Sequence, residues 1–182
     1  MIFGLIGASG TGKTTIAKYL EKKGYNVIHS YTTREERTPN EWGHTFVKEN
    51  DVVFNHNDKT VCFKSINKTE KMIAYVLYNN FHYWATKEQY AGKGKSIYVI
   101  DPKGFLRLKE WNEVPIIGIT LIADEQEKFY RMLARGDSEE KAKQRLQNDF
   151  HAFSCIRTDW VVNVERPLYE INDAIIKIIE QY

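Results

Sequence analysis

The segment Gly7-Ala8-Ser9-Gly10-Thr11-Gly12-Lys13-Thr14 is a complete GxxxxGK[ST] match. Glycines at these spacings let the backbone curl tightly and turn its N–H groups inward, toward phosphate oxygens. The lysine adds a positive charge near the β- and γ-phosphates, and the Thr14 hydroxyl can ligate Mg²⁺. The pattern predicts a nucleoside-triphosphate site, with Mg²⁺ as an ion that Thr14 can ligate. Ser9, Gly10, Thr11, Gly12, Lys13, Thr14 and Thr15 would surround the phosphates. A second run suits another phosphoryl group: Ser30-Tyr31-Thr32-Thr33-Arg34-Glu35-Glu36-Arg37 sets two arginines three apart beside hydroxyls. Taken alone, it reads equally as a solvated charge cluster.

These residues need a scaffold that presents loops at one sheet edge. Apolar runs alternate with segments of helical period, which predicts an α/β protein on a mostly parallel sheet. Strands are expected over residues 2–6, 26–29, 96–100, 116–122 and 160–164. A helix from Lys13 puts Ile16, Ala17 and Leu20 on one face and stops at Gly24. Asp124 is expected to cap a helix through Phe129, Met132 and Leu133, and Asp137 with Glu140 to form a capping box for the next. Pro167 opens the last helix, along which Leu168, Ile171, Ile175 and Ile178 recur. Residues 51–86 differ, reading as β-strands at 52–54, 61–63, 73–78 and 81–85 with a hairpin turn at Asn79-Asn80. They predict a β-rich lobe inserted into the α/β core.

Composition narrows the function. Lys+Arg 26 against Asp+Glu 24 gives a net charge of +2, which excludes a strongly basic nucleic-acid coat and an acidic tail. Cys62 and Cys155 make neither a disulfide framework nor a CxxC metal spacing, in keeping with a reduced, cytoplasmic chain. No apolar run is long enough to span a membrane, and residues 1–7 read as a strand and not as a signal peptide. His29, His44, His56, His82 and His151 lack metal-ligand spacing and read as packing or surface residues. Tyr75, Tyr78, Phe81 and Trp84 suit either the core of the lobe or the stacking of a base.

With these motifs in hand, the chain resembles the guanylate kinase family of nucleoside monophosphate kinases. The family's P-loop is followed by a Ser-x-Thr-Thr-Arg-x-x-Arg segment that binds the acceptor phosphate; Ser30, Thr32, Thr33, Arg34 and Arg37 match it in order. Phe81-His82-Tyr83-Trp84-Ala85-Thr86 is similar to a later stretch whose tyrosine, here Tyr83, contacts the same phosphate. Asp101 matches an aspartate between substrate and metal, where it would hold Mg²⁺ through water. Arg131-Met132-Leu133-Ala134-Arg135-Gly136, the acidic Glu139-Glu140 and Arg145-Leu146 resemble the family's lid. Arg131 and Arg135, four apart on one helical face, would close with Arg145 over the transferring group.

The resemblance implies a P-loop NTPase fold of three α/β/α layers around a mostly parallel sheet, with an inserted β-rich NMP-binding lobe and a helical lid. The core would comprise residues 1–30, 94–130 and 150–182, the lobe 31–93 and the lid 131–149. It further implies an ATP:nucleoside-monophosphate phosphotransferase acting as a monomer or homodimer, with no nucleic-acid or membrane partner. GMP or dGMP is the default acceptor. However, the family's base-reading glutamate and serine fall on Ala74 and Ala85. Another deoxynucleotide or a sugar phosphate is therefore an alternative acceptor. A non-catalytic module binding a phosphorylated peptide is the alternative from another class.

Overall fold

Every residue of β1 (Ile2–Gly7) is buried, as a strand covered on both faces requires. The computed structural model describes residues 1–111, 113–153 and 156–182, and Cys155 lies outside them. Among the described residues, β1 is the centre of a five-stranded parallel sheet. β9 (Ser96–Val99) and then β2 (Asn26–Ile28) lie on one side, and β10 (Ile116–Ile122) and then β11 (Trp160–Asn163) on the other.

Helices cover both faces and complete the three layers. α1 (Lys13–Lys22) and α5 (Leu168–Glu180) bury Ile16, Leu20, Ile171, Ile175 and Ile179 against Phe3 and Leu5. On the other face, α2 (Pro102–Lys109) buries Phe105 and Leu108 against Ile2 and Ile6. Phe105 fills space that side chains leave open at Gly118, where an added Cβ would come within 2.6 Å of its ring. α3 (Glu125–Ala134) and α4 (Glu139–Phe153) follow β10. No helix among the described residues is long and apolar enough to cross a membrane.

The second sheet takes the order β4-β3-β8-β7-β6-β5. Its strands are β3 (Ser30–Thr32), β4 (His44–Phe46), β5 (Val52–Asn55), β6 (Thr60–Phe63), β7 (Lys68–Tyr78) and β8 (Phe81–Thr86). Val52, Val61, Phe63, Met72 and Trp84 give it a core of its own, with Tyr31 stacked on Trp84 and Phe54 edge-on to it. Trp84 and Tyr75 thus belong to the packing of the lobe, while Tyr78 is half-exposed. The lobe is also fixed to the α/β core, because Ile73, Ala74 and Ala85 share an apolar cluster with Ile100, Phe105 and Leu108.

The structure departs from the sequence expectations at several places. Residues 30–32, expected to begin a loop, form β3, which carries the chain from one sheet to the other. β7 begins at Lys68 and not at residue 73, and it is interrupted where Ala74 adopts a φ of 53°. α2 was not anticipated, although Asp101 as N-cap and Pro102 behind it are a helix start. The expected Asp137/Glu140 capping box does not open α4. There the amide of Lys141 donates to Ser138 Oγ (3.3 Å), while Asp137 turns to arginines. The Asn79-Asn80 turn does form, with φ of 48° and 62° and Tyr78 paired to Phe81.

Candidate functional site

β1 ends at Gly7 and α1 begins at Lys13, so residues 8–12 form a loop at the C-terminal edge of the parallel sheet. Gly10 has a φ of 82°, and a Cβ there would lie 2.6 Å from the Lys128 carbonyl oxygen. Only glycine fits a backbone that passes so close to α3. The buried Thr11 hydroxyl closes the turn by donating to the Ala8 carbonyl (2.8 Å). Thr14 and Thr15 are exposed at the start of α1. Lys13 Nζ folds onto the loop, donating to the carbonyls of Gly7 (2.6 Å) and Ala8 (2.9 Å). Burial pushes this ammonium down to about 8; the nearby Asp149 carboxylate opposes the shift, and Arg135 and Arg145 add to it. Asp149, on α4, also accepts a hydrogen bond from the Ser9 amide (2.5 Å).

The double-arginine loop lies between β3 and β4. Its hydroxyls are engaged with the protein: Ser30 Oγ is 3.0 Å from the Tyr98 hydroxyl, Thr32 Oγ1 accepts from the Arg34 amide, and Thr33 Oγ1 accepts from the His82 amide. Arg34 is buried, and its fork grips Glu41 through two bonds of 2.9 and 2.8 Å. It donates a further bond to the Glu35 carbonyl (2.6 Å), and its guanidinium lies 5.2 Å from the Phe46 ring centre. Glu41 also accepts from the Arg37 amide (2.8 Å). Burial alone would raise the Glu41 carboxyl, but the bonds from Arg34 and Arg37 outweigh it and hold it at about 2. The Arg37 side chain is exposed and lies within electrostatic reach of Arg34, Arg145 and Tyr83.

His44 sits in the same cluster, with its ring edge-on to Tyr83 at 6.0 Å. Burial, reinforced by the Arg34 charge, pushes it down to about 4 and keeps the imidazole neutral. Its Nδ1 is buried with no hydrogen-bond partner among the described residues.

The arginines expected to close the lid occupy two places. Arg131 binds Glu127 (2.8 Å), the Val164 carbonyl (2.8 Å) and the Gly10 carbonyl (3.5 Å), bracing α3 against the P-loop and the end of β11. Arg135 is the residue after α3, so the expected shared helical face with Arg131 is not formed. Instead Arg135 holds Asp137 through two bonds (2.8 and 2.7 Å), and Arg145 comes within 3.8 Å of the same carboxylate. Arg135 and Arg145 are the lid cations that act on Lys13.

Asp101 caps α2 by accepting from the Gly104 amide (3.0 Å), and its side chain is exposed. Its charge, added to burial, pushes the Tyr98 hydroxyl up, although the contact with Ser30 works the other way. Thr14 and Asp101 offer oxygen donors of the kind a hard cation such as Mg²⁺ takes. The described residues contain no cluster of three or more His, Cys, Asp or Glu able to hold a metal by itself. Such an ion therefore fits as one shared with phosphate oxygens.

Glu41 and Asp149 escaped the sequence reading, which marks Asp137 only as a helix cap and His44 only as a packing or surface residue. Asp149 had a legible signal, since it stands four residues after Arg145 and so on the same helical face. Glu41 and His44 had none, because their place is set by the return of the loop into β4.

The comparisons with known proteins agree on the architecture. A family model described as an AAA domain matches residues 4–152. Uridine kinases from Bacillus thuringiensis (strain Al Hakam) and Bacillus anthracis are each 22% identical over 181 residues, spanning 93% of this chain and 77% of theirs. A guanylate kinase structure from Anaplasma phagocytophilum superposes with a TM-score of 0.66 at 20% identity, over 100% of this chain and 85% of that one. A gluconokinase structure from Sinorhizobium meliloti 1021 gives a TM-score of 0.52 at 16% identity, over 98% and 91%. At these identities the two structures share a fold with this chain.

Proposed function

The chain belongs to the AAA domain family and is built as a P-loop kinase, and from that premise we propose that it transfers the ATP γ-phosphate to a nucleoside monophosphate, GMP or dGMP foremost. An oxygen of the acceptor phosphate bonds to the γ-phosphorus as the bond to the bridging oxygen of the departing ADP breaks. The protein's part is to align the two anions and neutralise charge as it spreads. The amides of residues 9–15 and the Lys13 ammonium take the donor phosphates. Arg37, Tyr83 and Ser30 take the acceptor phosphate, with Arg34 anchoring the loop through Glu41. Thr14, and Asp101 through water, would hold Mg²⁺, which would supply further positive charge when bound.

The observation that carries this reading is the P-loop itself, with Lys13 Nζ folded onto the Gly7 and Ala8 carbonyls. Arg145, 3.8 Å from the Asp137 carboxylate that Arg135 grips, adds a charge felt at both Lys13 and Arg37. A cation shared by two anion-binding clusters is what a phosphoryl group in transit between them requires. Arg135 assists from the donor side, and Arg131 acts by bracing the loop.

An assay coupled to ADP formation, run with ATP and a panel of ribo- and deoxynucleoside monophosphates, tests the proposal. ADP formed with GMP or dGMP supports it. Absence of ADP formation with every acceptor refutes transfer and favours the non-catalytic module that binds a phosphorylated peptide.

A kinase for a different acceptor is the second reading, and Ala74 favours it. This residue is buried, lies at the irregularity of β7 and offers no carboxylate to a guanine. The panel therefore includes uridine and gluconate, acceptors suggested by the names of similar proteins.

A further inference from the structure

We propose that Asp149 is an internal competitor of the donor phosphates, a lid carboxylate that occupies the P-loop until a triphosphate displaces it. The inference rests on reading this loop as the donor site. The Ser9 amide, one of those that would face phosphate, donates to Asp149 Oδ2 at 2.5 Å. A carboxylate oxygen and a phosphoryl oxygen are the same kind of acceptor to such an amide. The neighbouring cation is shared as well, since Asp149 acts on Lys13 while that ammonium rests on the Gly7 and Ala8 carbonyls.

The contact joins parts of the chain 140 residues apart. Asp149 stands one helical turn beyond Arg145 on α4, so both side chains leave the same face toward the loop. The carboxylate therefore ties the end of α4 to the loop. A triphosphate offers several oxygens to the same amides and to Lys13, where Asp149 supplies one hydrogen-bonded oxygen. The triphosphate wins, but the free energy of releasing Asp149 and lifting the end of α4 is subtracted from its affinity. Asp149 thus tunes how much ATP is needed to load the site and ties loading to movement of the lid.

Titration calorimetry of ATP with Mg²⁺, without acceptor, on the wild-type chain and on Asp149→Asn and Asp149→Ala reads this directly. Loss of the competitor is expected to tighten ATP binding about tenfold in both variants. In the ligand-free chain, hydrogen exchange over residues 139–153 and at the Ser9 amide is expected to quicken in both. ATP affinity that is unchanged or weaker in the variants overturns the proposal, as does unchanged exchange. Should neither wild type nor variants bind ATP, the donor-site reading falls and the competitor with it. ATP binding without tightening overturns the competitor alone.

Discussion

The two clusters proposed to bind anions each contain a carboxylate of the chain's own, and the two are held in opposite ways. Glu41 lies seven residues from Arg34 and accepts both prongs of its fork and the Arg37 amide. Asp149 reaches the P-loop from a different helix and accepts one amide. A carboxylate from a neighbouring turn, gripped at both oxygens, is part of the scaffold. One brought from a remote element by a single bond is free to leave. On the proposed function, the acceptor cluster is preorganised by an acid that stays, and the donor cluster is guarded by an acid that goes.

The largest effect expected is on the donor side. Lys13→Ala should reduce turnover by roughly a thousandfold or more, because a preorganised charge at the transferring group is lost. Its thermal midpoint should hold or rise, since burial already disfavours the ammonium. Steady-state rates and thermal melts on the same preparation check both halves. The acceptor side should respond differently. Arg34→Ala removes the partner of the partly buried Glu41, at a cost of about 1.5–3 kcal/mol. It should lower the midpoint by roughly 3–12 °C for a chain of this size. If Arg34→Ala melts like wild type and only turnover falls, Arg34 is a substrate ligand and not a scaffold residue.

Acid tests the grip on Glu41. The Glu41 carboxyl is held at about 2, so its contribution is full above the ordinary glutamate range and is lost as the pH falls through about 2. The stability that this depressed carboxyl contributes fades between roughly pH 4.5 and 2. Denaturant unfolding across that window should show a flatter acid slope in Glu41→Gln than in wild type. An equal slope in the two would place the acid-sensitive group elsewhere.

The sequence revealed these clusters unevenly, for physical reasons. The P-loop was legible because the demands of phosphate on a backbone are local, being met by residues adjacent in the chain. The parallel sheet was legible because β1 and β10 are nearly continuous apolar runs, and the Asn79-Asn80 turn because asparagine tolerates positive φ. The role of Glu41 was hidden. Glu35, Glu36 and Glu41 are alike as letters, and only the return into β4 selects which one meets Arg34. Arg131 and Arg135 misled for a related reason. Their spacing fits one helical face, but α3 ends between them. The Asp137/Glu140 capping signal failed because two arginines outcompeted a backbone amide for the Asp137 carboxylate.

The smallest effect, and the finest test of the donor cluster, is the pH dependence of ATP affinity. Lys13 in the ligand-free chain is pushed down to about 8, mainly by burial. Bound triphosphate places negative charge beside the ammonium and restores it toward its ordinary range. At pH 6.5 the lysine is protonated in both states and binding moves no proton. Above about 8 the free lysine is increasingly neutral and must gain a proton on binding. Affinity should then fall by up to about tenfold per pH unit. Calorimetry in buffers of different ionisation enthalpy should detect proton uptake at pH 8.5 and none at 6.5. Lys13→Met should bind weakly at both pH values and lose the dependence. A wild-type affinity that is flat from pH 6.5 to 9 would mean that Lys13 stays charged in the ligand-free loop, and that Asp149 compensates its burial more fully than one displaceable carboxylate should.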